Sequence, residues 1–347
     1  MPLSRPPALA RVVVDKFGGS VLRRPEDIAE AVQVVAEQRR AGLRPVVVVS
    51  AFEGVTDTIL ASASVLLPDG GRALRDSRQS PDSPLARETD RALATGEALS
   101  AALFALGLQA RGIAARSFSG AEAGIRTAAA HLGAEVRRVY SRPLRNALAK
   151  ELVPVVAGFQ GIGSHGELTT LGRGGTDLSA VVLAVALRAD RCELFKDTGG
   201  VMEADPHLVP EARFLPAVDA LQLELLAELG SEIVHPVAVR RARRGKMLLV
   251  VRALDANQPM TEVRPNLWRS GGDPGPLMLA VDRKESIARI SLVDPAERMP
   301  EILPLPASGE GSFNDGGLRV VWSEVPIAQV ARAAQGVHAA LMAPASV

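Results

Sequence analysis

The chain has 347 residues, of which 47% are hydrophobic, enough to bury the core of a main domain and of a smaller second one. Its 40 basic and 39 acidic side chains give a formal net charge of +1, which argues against a broad surface for nucleic acid. A single cysteine, Cys192, excludes an internal disulfide framework and a multi-cysteine metal site.

Targeting and membrane signals are missing from the sequence pattern. No apolar segment of signal-peptide length precedes the first predicted strand, and no run of about 18 apolar residues occurs. We therefore expect a cytoplasmic protein with no membrane partner. The five histidines show no ligand spacing, so we expect no metal site built from protein ligands alone.

Strand and helix patterns alternate along most of the chain. Valine-rich runs such as 45–50 (PVVVVS) are typical of buried parallel strands, and segments such as 25–40 carry apolar residues at helical spacing. In chain order the patterns predict strands at 12–16, 45–50, 113–118, 153–158, 191–196 and 247–252, helices at 25–40, 86–110, 135–150, 178–187, 217–229 and 233–244, and a surface loop at 68–84. This alternation indicates an α/β fold, with a mostly parallel sheet between two helix layers in a three-layer α/β/α arrangement.

The composition changes near the end of this alternation. Glycine and proline at 264–276 indicate a linker. Beyond it the patterns predict strands at 288–293 and 318–322 and a helix at 327–342. We therefore expect two domains, at 1–265 and at 266–347, the second made of the linker and a small α+β unit.

Two glycine loops dominate the chemistry of the sequence. Lys16-Phe17-Gly18-Gly19-Ser20 follows a predicted buried strand, and Gly172-Arg173-Gly174-Gly175-Thr176-Asp177 precedes a predicted helix. Glycines let the backbone approach a bulky anion, and a helix N-terminus adds partial positive charge. One such loop alone is more often an ordinary tight turn. Two loops, each with a cation and a hydroxyl beside the glycines, favour phosphate binding.

Common alternatives to this interpretation have no support in the sequence. There is no GxxxxGK[ST] loop, no GxGxxG after a first strand and no HRD/DFG pair, which disfavours P-loop enzymes, dinucleotide-binding dehydrogenases and protein kinases. No GxSxG motif flanks a serine, so a serine hydrolase is disfavoured as well.

Phosphoryl transfer needs positive charge around the transferred group. Lys16, at a strand end, suits that role, and Asp177, at a helix start, is placed either to hold Lys16 or to bind magnesium. Ser50 ends its strand where ligands collect in parallel sheets. An amino-acid acceptor needs opposite charges at its two ends, which Glu97 and Arg173 offer. For Glu97 a solvated charge on a helix is an equally good interpretation.

At these residues the chain resembles the aspartate kinases of the amino-acid kinase superfamily. The resemblance covers about residues 11 to 265, and its most specific part is TTLGRGGTD at 169–177. The other matching segments are KFGGS (16–20), SAFEGVT (50–56), TGE (95–97), SFSGAEAGI (117–125), VPVVAGFQG (153–161) and the segment 204–213. The resemblance implies the amino-acid kinase fold and an enzyme that uses ATP and Mg²⁺.

The resemblance also implies a reaction and roles for individual residues. The γ-phosphoryl group of ATP would pass to the β-carboxylate of L-aspartate, giving 4-phospho-L-aspartate for lysine, threonine and methionine biosynthesis. The implied catalytic residues are Lys16 and Asp177, and the implied substrate contacts are Ser50, Thr56, Glu97, Arg173 and Thr176. Nucleotide and phosphate contacts are implied for Gly18, Gly19, Ser20, Gly174, Gly175, Lys196, Asp197, Met202, Asp205, His207 and Glu232.

Four positions in the nucleotide region depart from the family pattern. Lys196 stands where the family has threonine or serine, Met202 replaces a tyrosine, His207 an arginine and Glu232 a lysine. A carboxylate in place of a cation near phosphates costs on the order of a few kcal/mol when desolvated and much less when exposed. With Lys196 compensating in part, we expect weakened or altered nucleotide affinity without loss of catalysis.

The end of the chain departs further from the family. Aspartate kinases usually end in two ACT domains, small βαββαβ units that bind feedback amino acids. Here 288–293 resembles a first ACT strand and 318–342 the final strand and helix. We expect one reduced ACT-like unit that serves dimerisation or packing, and a homodimer. Two alternatives stay open: a kinase of the same fold for another small amino-acid carboxylate, and a non-catalytic regulatory paralogue.

Overall fold

The computed structural model describes residues 11–67, 83–231, 233–267, 277–294, 309–315 and 318–341. The chain forms two compact units, Met1–Thr198 with Arg252–Ala256, and Gly199–Val251 with Asn257–Val347. The predicted domain boundary at residue 265 stays a prediction, because the compact units divide the chain at other points. Most of the predicted loop at 68–84 and of the predicted linker at 264–276 lies outside the described residues.

The first unit holds a five-stranded parallel sheet and a smaller mixed sheet. Its elements are β1 (Val12–Phe17), α1 (Ile28–Arg40), β2 (Arg44–Val49), α2 (Val55–Val65), α3 (Pro84–Gln109), β3 (Ala115–Phe118), β4 (Ile125–Thr127), β5 (Val136–Val139), α4 (Arg142–Ala149), β6 (Val153–Ala157), β7 (Gln160–Ile162), β8 (Leu168–Thr170), α5 (Gly175–Leu187) and β9 (Arg191–Phe195). The parallel sheet has the order β9-β1-β2-β6-β3, and the mixed sheet has the order β5-β4-β7-β8.

The parallel sheet lies between two helix layers, as the sequence predicts. Val46 to Val49 in β2 are 0% exposed, which explains why this strand is apolar without alternation. On one face Phe17 stacks on Phe195 and contacts Phe104 of α3, with ring centroids 4.6 and 5.3 Å apart. Helix α1 packs on the same face through Ile28. Helix α5 covers the opposite face, so the three-layer α/β/α fold is confirmed.

The predicted helix at 135–150 is wrong in its first half. Residues Val136–Val139 form β5, in which Val136 is buried and the two arginines after it are exposed. The helix α4 begins only at Arg142, with Pro143 in its first turn. Proline has no N–H group and its ring clashes with the carbonyl four residues earlier, so a helix cannot continue through this point from residue 135.

The second unit contains three further groups of strands: an antiparallel pair, a group of three and an antiparallel sheet of four. Its elements are β10 (Val201–Met202), β11 (Phe214–Leu215), β12 (Ala217–Asp219), α6 (Ala220–Glu228), α7 (Pro236–Arg244), β13 (Leu249–Arg252), β14 (Met260–Arg264), β15 (Met278–Arg283), β16 (Ile287–Asp294), β17 (Gly309–Asp315), β18 (Leu318–Pro326) and α8 (Val330–Leu341). The predicted helix at 217–229 is wrong at its start, because Asp219 ends a strand and its side chain caps α6 by accepting from the N–H of Leu221.

The C-terminal region is an antiparallel sheet of order β15-β16-β18-β17 with one helix. Helix α8 packs on it through Val330, Ala334 and Val337, against Ile290 and Val321 of the sheet. A small α+β region is therefore confirmed. Its ACT-like character stays a prediction, since an ACT unit has two helices and the described part of this region has one α-helix.

Helix α3 is 26 residues long and apolar enough, by composition alone, to cross a membrane. Half of its most apolar window is buried within the protein. Phe104 and Leu108 on this helix are 0% exposed and belong to the core beneath the parallel sheet. Helix α3 is therefore a core helix of the first unit.

Candidate active site

The two glycine loops meet at an ion pair. Nζ of Lys16, in β1, lies 2.7 Å from Oδ1 of Asp177, in the first turn of α5, and both side chains are 7% exposed. Strand alternation sends the neighbouring Asp15 to the opposite face, where it accepts a hydrogen bond from Gln38 of α1. Charges are this deeply buried in proteins only when they are paired. The structure thus joins a lysine and an aspartate that are 161 residues apart in the sequence.

The first glycine loop leaves room for the lysine ammonium. A Cβ atom at Gly18 would lie 2.5 Å from Nζ of Lys16. Gly18 is buried, its carbonyl accepts from the N–H groups of Val21 and Leu22, and Ser20 is exposed at the outer end of the loop. Any side chain at position 18 would therefore displace the ammonium group.

The second glycine loop opens helix α5. Gly174 caps the helix with φ of +70°, a conformation that favours glycine. Gly175, Thr176 and Asp177 form the buried first turn, whereas Arg173 is exposed in the loop before it. The N–H groups of a first helical turn have no partners within the helix and attract anions. The arrangement therefore places a helix N-terminus beside the Lys16–Asp177 pair.

A second lysine joins this pair. Nζ of Lys196 lies 3.6 Å from Oδ2 of Asp177, and its side chain is 18% exposed. Lys16 pairs with Leu194 across β1 and β9, so alternation puts Lys196 on the same face as Lys16. Burial lowers the pKa of Lys196 below its ordinary value; Asp177 opposes this effect and Lys16 adds to it. Two ammonium groups and one carboxylate leave this cluster with a net positive charge.

Glu97 is a buried carboxylate on α3. It is 4% exposed, and its Oε1 accepts a hydrogen bond of 3.1 Å from the N–H of Ala51, just after β2. Its Oε2 is buried and has no hydrogen-bond partner among the described residues. Burial raises the pKa of Glu97 from 4.5 to about 7, and the hydrogen bond from Ala51 opposes that rise. The interpretation of Glu97 as a solvated helix charge is therefore wrong.

Three other predicted residues of the first unit follow parallel strands or lie in the next helix. Ser50 follows β2 and is half-buried, and its N–H donates to the carbonyl of Phe17 at 3.1 Å. Thr56 is half-buried in the first turn of α2. Asp197 is exposed directly after Lys196.

The remaining predicted nucleotide contacts belong to the second unit. Met202 is half-buried in β10, and Asp205 and His207 are exposed in the following turn. Oδ1 of Asp205 accepts from the N–H of His207 at 2.9 Å. Glu232 lies outside the described residues, so its predicted role stays a prediction.

The described residues contain no group of three or more His, Cys, Asp or Glu side chains that could hold a metal ion. The acid nearest the glycine loops, Asp177, is engaged by two lysines. A magnesium ion in a kinase site is held mostly by phosphate oxygens and water, with one or two carboxylates. The residues present therefore fit an ion that arrives with a nucleotide better than an ion held by the protein alone.

Two contacts of this site have no clear signal in the sequence. The first is the ion pair of Lys196 with Asp177: the sequence predicts Lys196 as a nucleotide contact, but this ion pair depends on the register of β1 and β9. The N–H of Ala51 orients Glu97, and a backbone donor leaves no signature in the residue pattern. A glycine at position 96 is the one available signal, because a Cβ there would lie 2.8 Å from Cβ of Ala51.

Comparison with known proteins identifies the family of the chain. The family model described as Amino acid kinase family matches residues 11–253. An aspartokinase of Thermus thermophilus is 40% identical over 253 residues, which are 73% of this chain and 59% of that protein. Aspartokinase 2 of Bacillus subtilis is 38% identical over 242 residues, 70% of this chain and 56% of that protein. The chain thus spans less than two thirds of the length of these relatives.

A solved structure shows a similar fold over most of the chain. Aspartokinase III of E. coli, in complex with aspartate and ADP, superposes with a TM-score of 0.77 at 20% identity, over 95% of this chain and 100% of that one. At this identity the match shows the fold alone. Together with the family model, which matches well over half of the residues, it leads to one conclusion. The chain belongs to the amino acid kinase family.

Proposed function

We propose that this protein is an aspartate kinase, which transfers the γ-phosphoryl group of Mg-ATP to the β-carboxylate of L-aspartate. The observation that carries the proposal is the buried cluster of Lys16, Lys196 and Asp177 between two glycine loops. Its excess positive charge suits the terminal phosphates of a nucleotide. The similarity to aspartokinases at about 40% identity supports aspartate as the acceptor.

The acceptor is expected to bind through its charged ends. Oε2 of Glu97, which has no hydrogen-bond partner in the described part of the chain, offers a buried partner for the ammonium group. Arg173 offers a guanidinium for a carboxylate. We assign Ser50, Thr56 and Thr176 as further substrate contacts. Ser50 and Thr56 flank Ala51, whose N–H holds Glu97, and Thr176 lies beside Asp177.

Nucleotide binding is assigned to the two loops and the segment after β9. Phosphates would contact the backbone at Gly18, Gly19, Ser20, Gly174 and Gly175, with Lys196 and Asp197 nearby. For Met202, Asp205, His207 and Glu232, a contact with the nucleotide stays what the family resemblance implies. Because Glu232 is a carboxylate where the family has a lysine, we expect Glu232→Lys to lower the KM for ATP.

The reaction needs little covalent chemistry from the protein. An oxygen of the acceptor β-carboxylate attacks the γ-phosphorus, a new O–P bond forms, and the bond to the β-phosphate oxygen breaks to release ADP. The nucleophile is already an anion, so the protein does not have to remove a proton from it. Lys16 neutralises charge on the transferring group, and Asp177 holds both lysines in place. Magnesium, when bound, neutralises the phosphates.

The direct test is an acceptor screen with coupled detection of ADP, followed by hydroxylamine trapping of the acyl phosphate. We expect ADP release and a hydroxamate with L-aspartate. A stronger signal with another amino-acid carboxylate would favour the alternative acceptor. If neither product forms while calorimetry detects ATP binding, the protein is a non-catalytic paralogue and the proposal fails.

Assembly, location and regulation follow from the proposal. We propose a cytoplasmic homodimer whose small C-terminal sheet serves packing between or within subunits. Millimolar lysine and threonine together are expected to leave the activity unchanged. Strong inhibition by either amino acid would contradict the interpretation of this region as a reduced ACT-like unit.

A further inference from the structure

A buried carboxylate on α3, Asp90, takes no part in the reaction described above. Asp90 is 0% exposed and accepts hydrogen bonds from two other segments of the chain. Its Oδ2 lies 2.7 Å from Nδ1 of His131, and its Oδ1 accepts from the N–H of Leu132 at 3.1 Å and from the hydroxyl of Thr170. Because a carboxylate can only accept, Nδ1 of His131 carries the hydrogen in this contact.

The segment that Asp90 holds leads directly to the second glycine loop. Thr170 is the last residue of β8, and Arg173 follows three residues later. The carbonyl of Thr170 accepts from the N–H of Ala134 at 2.8 Å. Next along the chain, a Cβ atom at Gly172 would lie 3.4 Å from Cα of Gly133. Three contacts therefore fix the base of the Arg173 loop. They are the hydrogen bond from the Thr170 hydroxyl to Asp90, the hydrogen bond from Ala134 to the Thr170 carbonyl, and the packing of Gly172 against Gly133.

The other end of β8 is held from the same helix. Nε2 of His131 lies 3.3 Å from a carboxylate oxygen of Glu167, the residue before β8. Arg87, three residues before Asp90 on α3, forms an ion pair of 3.6 Å with Glu167. Residues at both ends of this three-residue strand therefore contact the N-terminal half of α3, Thr170 through Asp90 and Glu167 through Arg87.

Helix α3 also carries the proposed partner of the acceptor ammonium. Asp90 and Glu97 are seven residues apart, close to two helical turns, so they project from the same face of α3. One rigid helix therefore bears Glu97 and anchors the strand that ends before Arg173. The distance between the charged ends of a small amino acid is fixed, so the groups that bind them must be held at a matching distance.

We propose that Asp90, His131 and Thr170 are positioning residues for the acceptor, which set the Arg173 loop at the correct distance from Glu97. The inference rests on the proposed function, because it assigns Glu97 and Arg173 to the two ends of the acceptor. None of the three residues touches the reacting atoms. Their effect is exerted through the strand end at Thr170, which lies three residues before Arg173. Gly174 and Gly175 open helix α5, and the packing of that helix holds them, so we expect an effect on acceptor binding rather than on the nucleotide.

The neighbouring residue supplies a matched control. Thr169 is 1% exposed, like Thr170, and its hydroxyl forms a buried hydrogen bond of 2.7 Å with the hydroxyl of Thr127. Thr170→Val and Thr169→Val each remove one buried hydroxyl from the same strand. Only the first removes a hydrogen bond to Asp90. A role confined to stability predicts the same behaviour for both variants.

The experiment compares steady-state kinetics and limited trypsin digestion of the two variants. Thr170→Val is expected to raise the KM for aspartate about tenfold, with the KM for ATP changed less than about twofold. Cleavage after the exposed Arg173 is expected to accelerate in this variant alone. Thr170→Ser keeps the hydroxyl and is expected to retain the wild-type KM. His131→Leu, which removes the N–H donor beside Oδ2 of Asp90, is expected to raise the same KM.

Equal kinetics and equal cleavage in Thr170→Val and Thr169→Val would overturn the inference, as would an unchanged KM for aspartate in His131→Leu. If Thr170→Val does not fold, the comparison of Thr170→Ser with His131→Leu decides the question. A wild-type protein that forms no acyl phosphate from any acceptor defeats the proposed function instead. In that case the trypsin comparison still reports whether Thr170 holds the Arg173 loop.

Discussion

Replacing Glu97 by glutamine should make the protein more stable at alkaline pH and much worse at binding aspartate. Glu97 is 4% exposed, and its Oε2 has no hydrogen-bond partner among the described residues. Burial raises the pKa of Glu97 from 4.5 to about 7. The charged form of Glu97 is thus unfavourable in the folded protein until a cationic partner arrives, and the acceptor ammonium is the partner that we propose.

The magnitude follows from the pKa. A rise from 4.5 to about 7 corresponds to about 3 kcal/mol of the free energy of unfolding. Between these two pH values the folded protein binds more protons at this site than the unfolded chain, so the contribution of Glu97 to stability falls as the pH rises. It is fully present below pH 4.5 and lost above about pH 7. A glutamine does not titrate, so Glu97→Gln lacks this loss.

Urea denaturation at pH 5 and at pH 8 measures the difference directly. From pH 5 to pH 8 we expect the wild type to lose about 2 to 3 kcal/mol more of its free energy of unfolding than Glu97→Gln loses. The KM for aspartate should rise about 100-fold. In the wild type, kcat/KM for aspartate should increase with pH through about 7 and then level off. A variant less stable than the wild type at pH 8, with an unchanged KM, would refute this reasoning.

Two further predictions concern the lysine cluster. Lys196→Thr removes one of two positive charges beside Asp177 and should raise the KM for ATP about tenfold. Lys196→Arg keeps the charge, so its KM for ATP should rise less. Equal KM values for the wild type and the threonine variant would argue against contact between Lys196 and phosphate. Gly18→Ala places a Cβ atom 2.5 Å from Nζ of Lys16, which is too close for both atoms to stay in place. Because only the flexible end of that lysine must move, kcat should fall about tenfold or more while the melting temperature changes little, and an unchanged kcat would contradict this placement.

The convergence of the two glycine loops could be predicted from the sequence. Lys16 is the next-to-last residue of a buried parallel strand, and Gly174 and Asp177 open a helix packed on the same sheet. The carboxyl ends of parallel strands and the N-termini of the helices that follow them meet at one edge, so loops distant in sequence come together there. The meeting of the two loops, where we propose that phosphate binds, therefore followed from pattern alone.

Other parts of the site depend on relations that a linear pattern does not record. Whether Lys196 reaches Asp177 is decided by the register of β9 against β1. The strands β4, β7 and β8 have three residues each, too few to show a period. For this reason the contact of Asp90 with Thr170 at the end of β8 had no signal in the sequence. The wrong helix at 135–139 has a simpler cause, since Pro143 marks the true start of α4.

The most direct measurement for the whole account is the rate of 4-phospho-L-aspartate formation by the wild type and by Lys16→Met, with ATP affinity measured by calorimetry on the same samples. Methionine keeps the length of the side chain but not the charge, and Lys196 remains to pair with Asp177. We predict a fall in kcat of about 1000-fold, with ATP still bound and the fold intact. A Lys16→Met variant that phosphorylates aspartate at the wild-type rate would contradict the account.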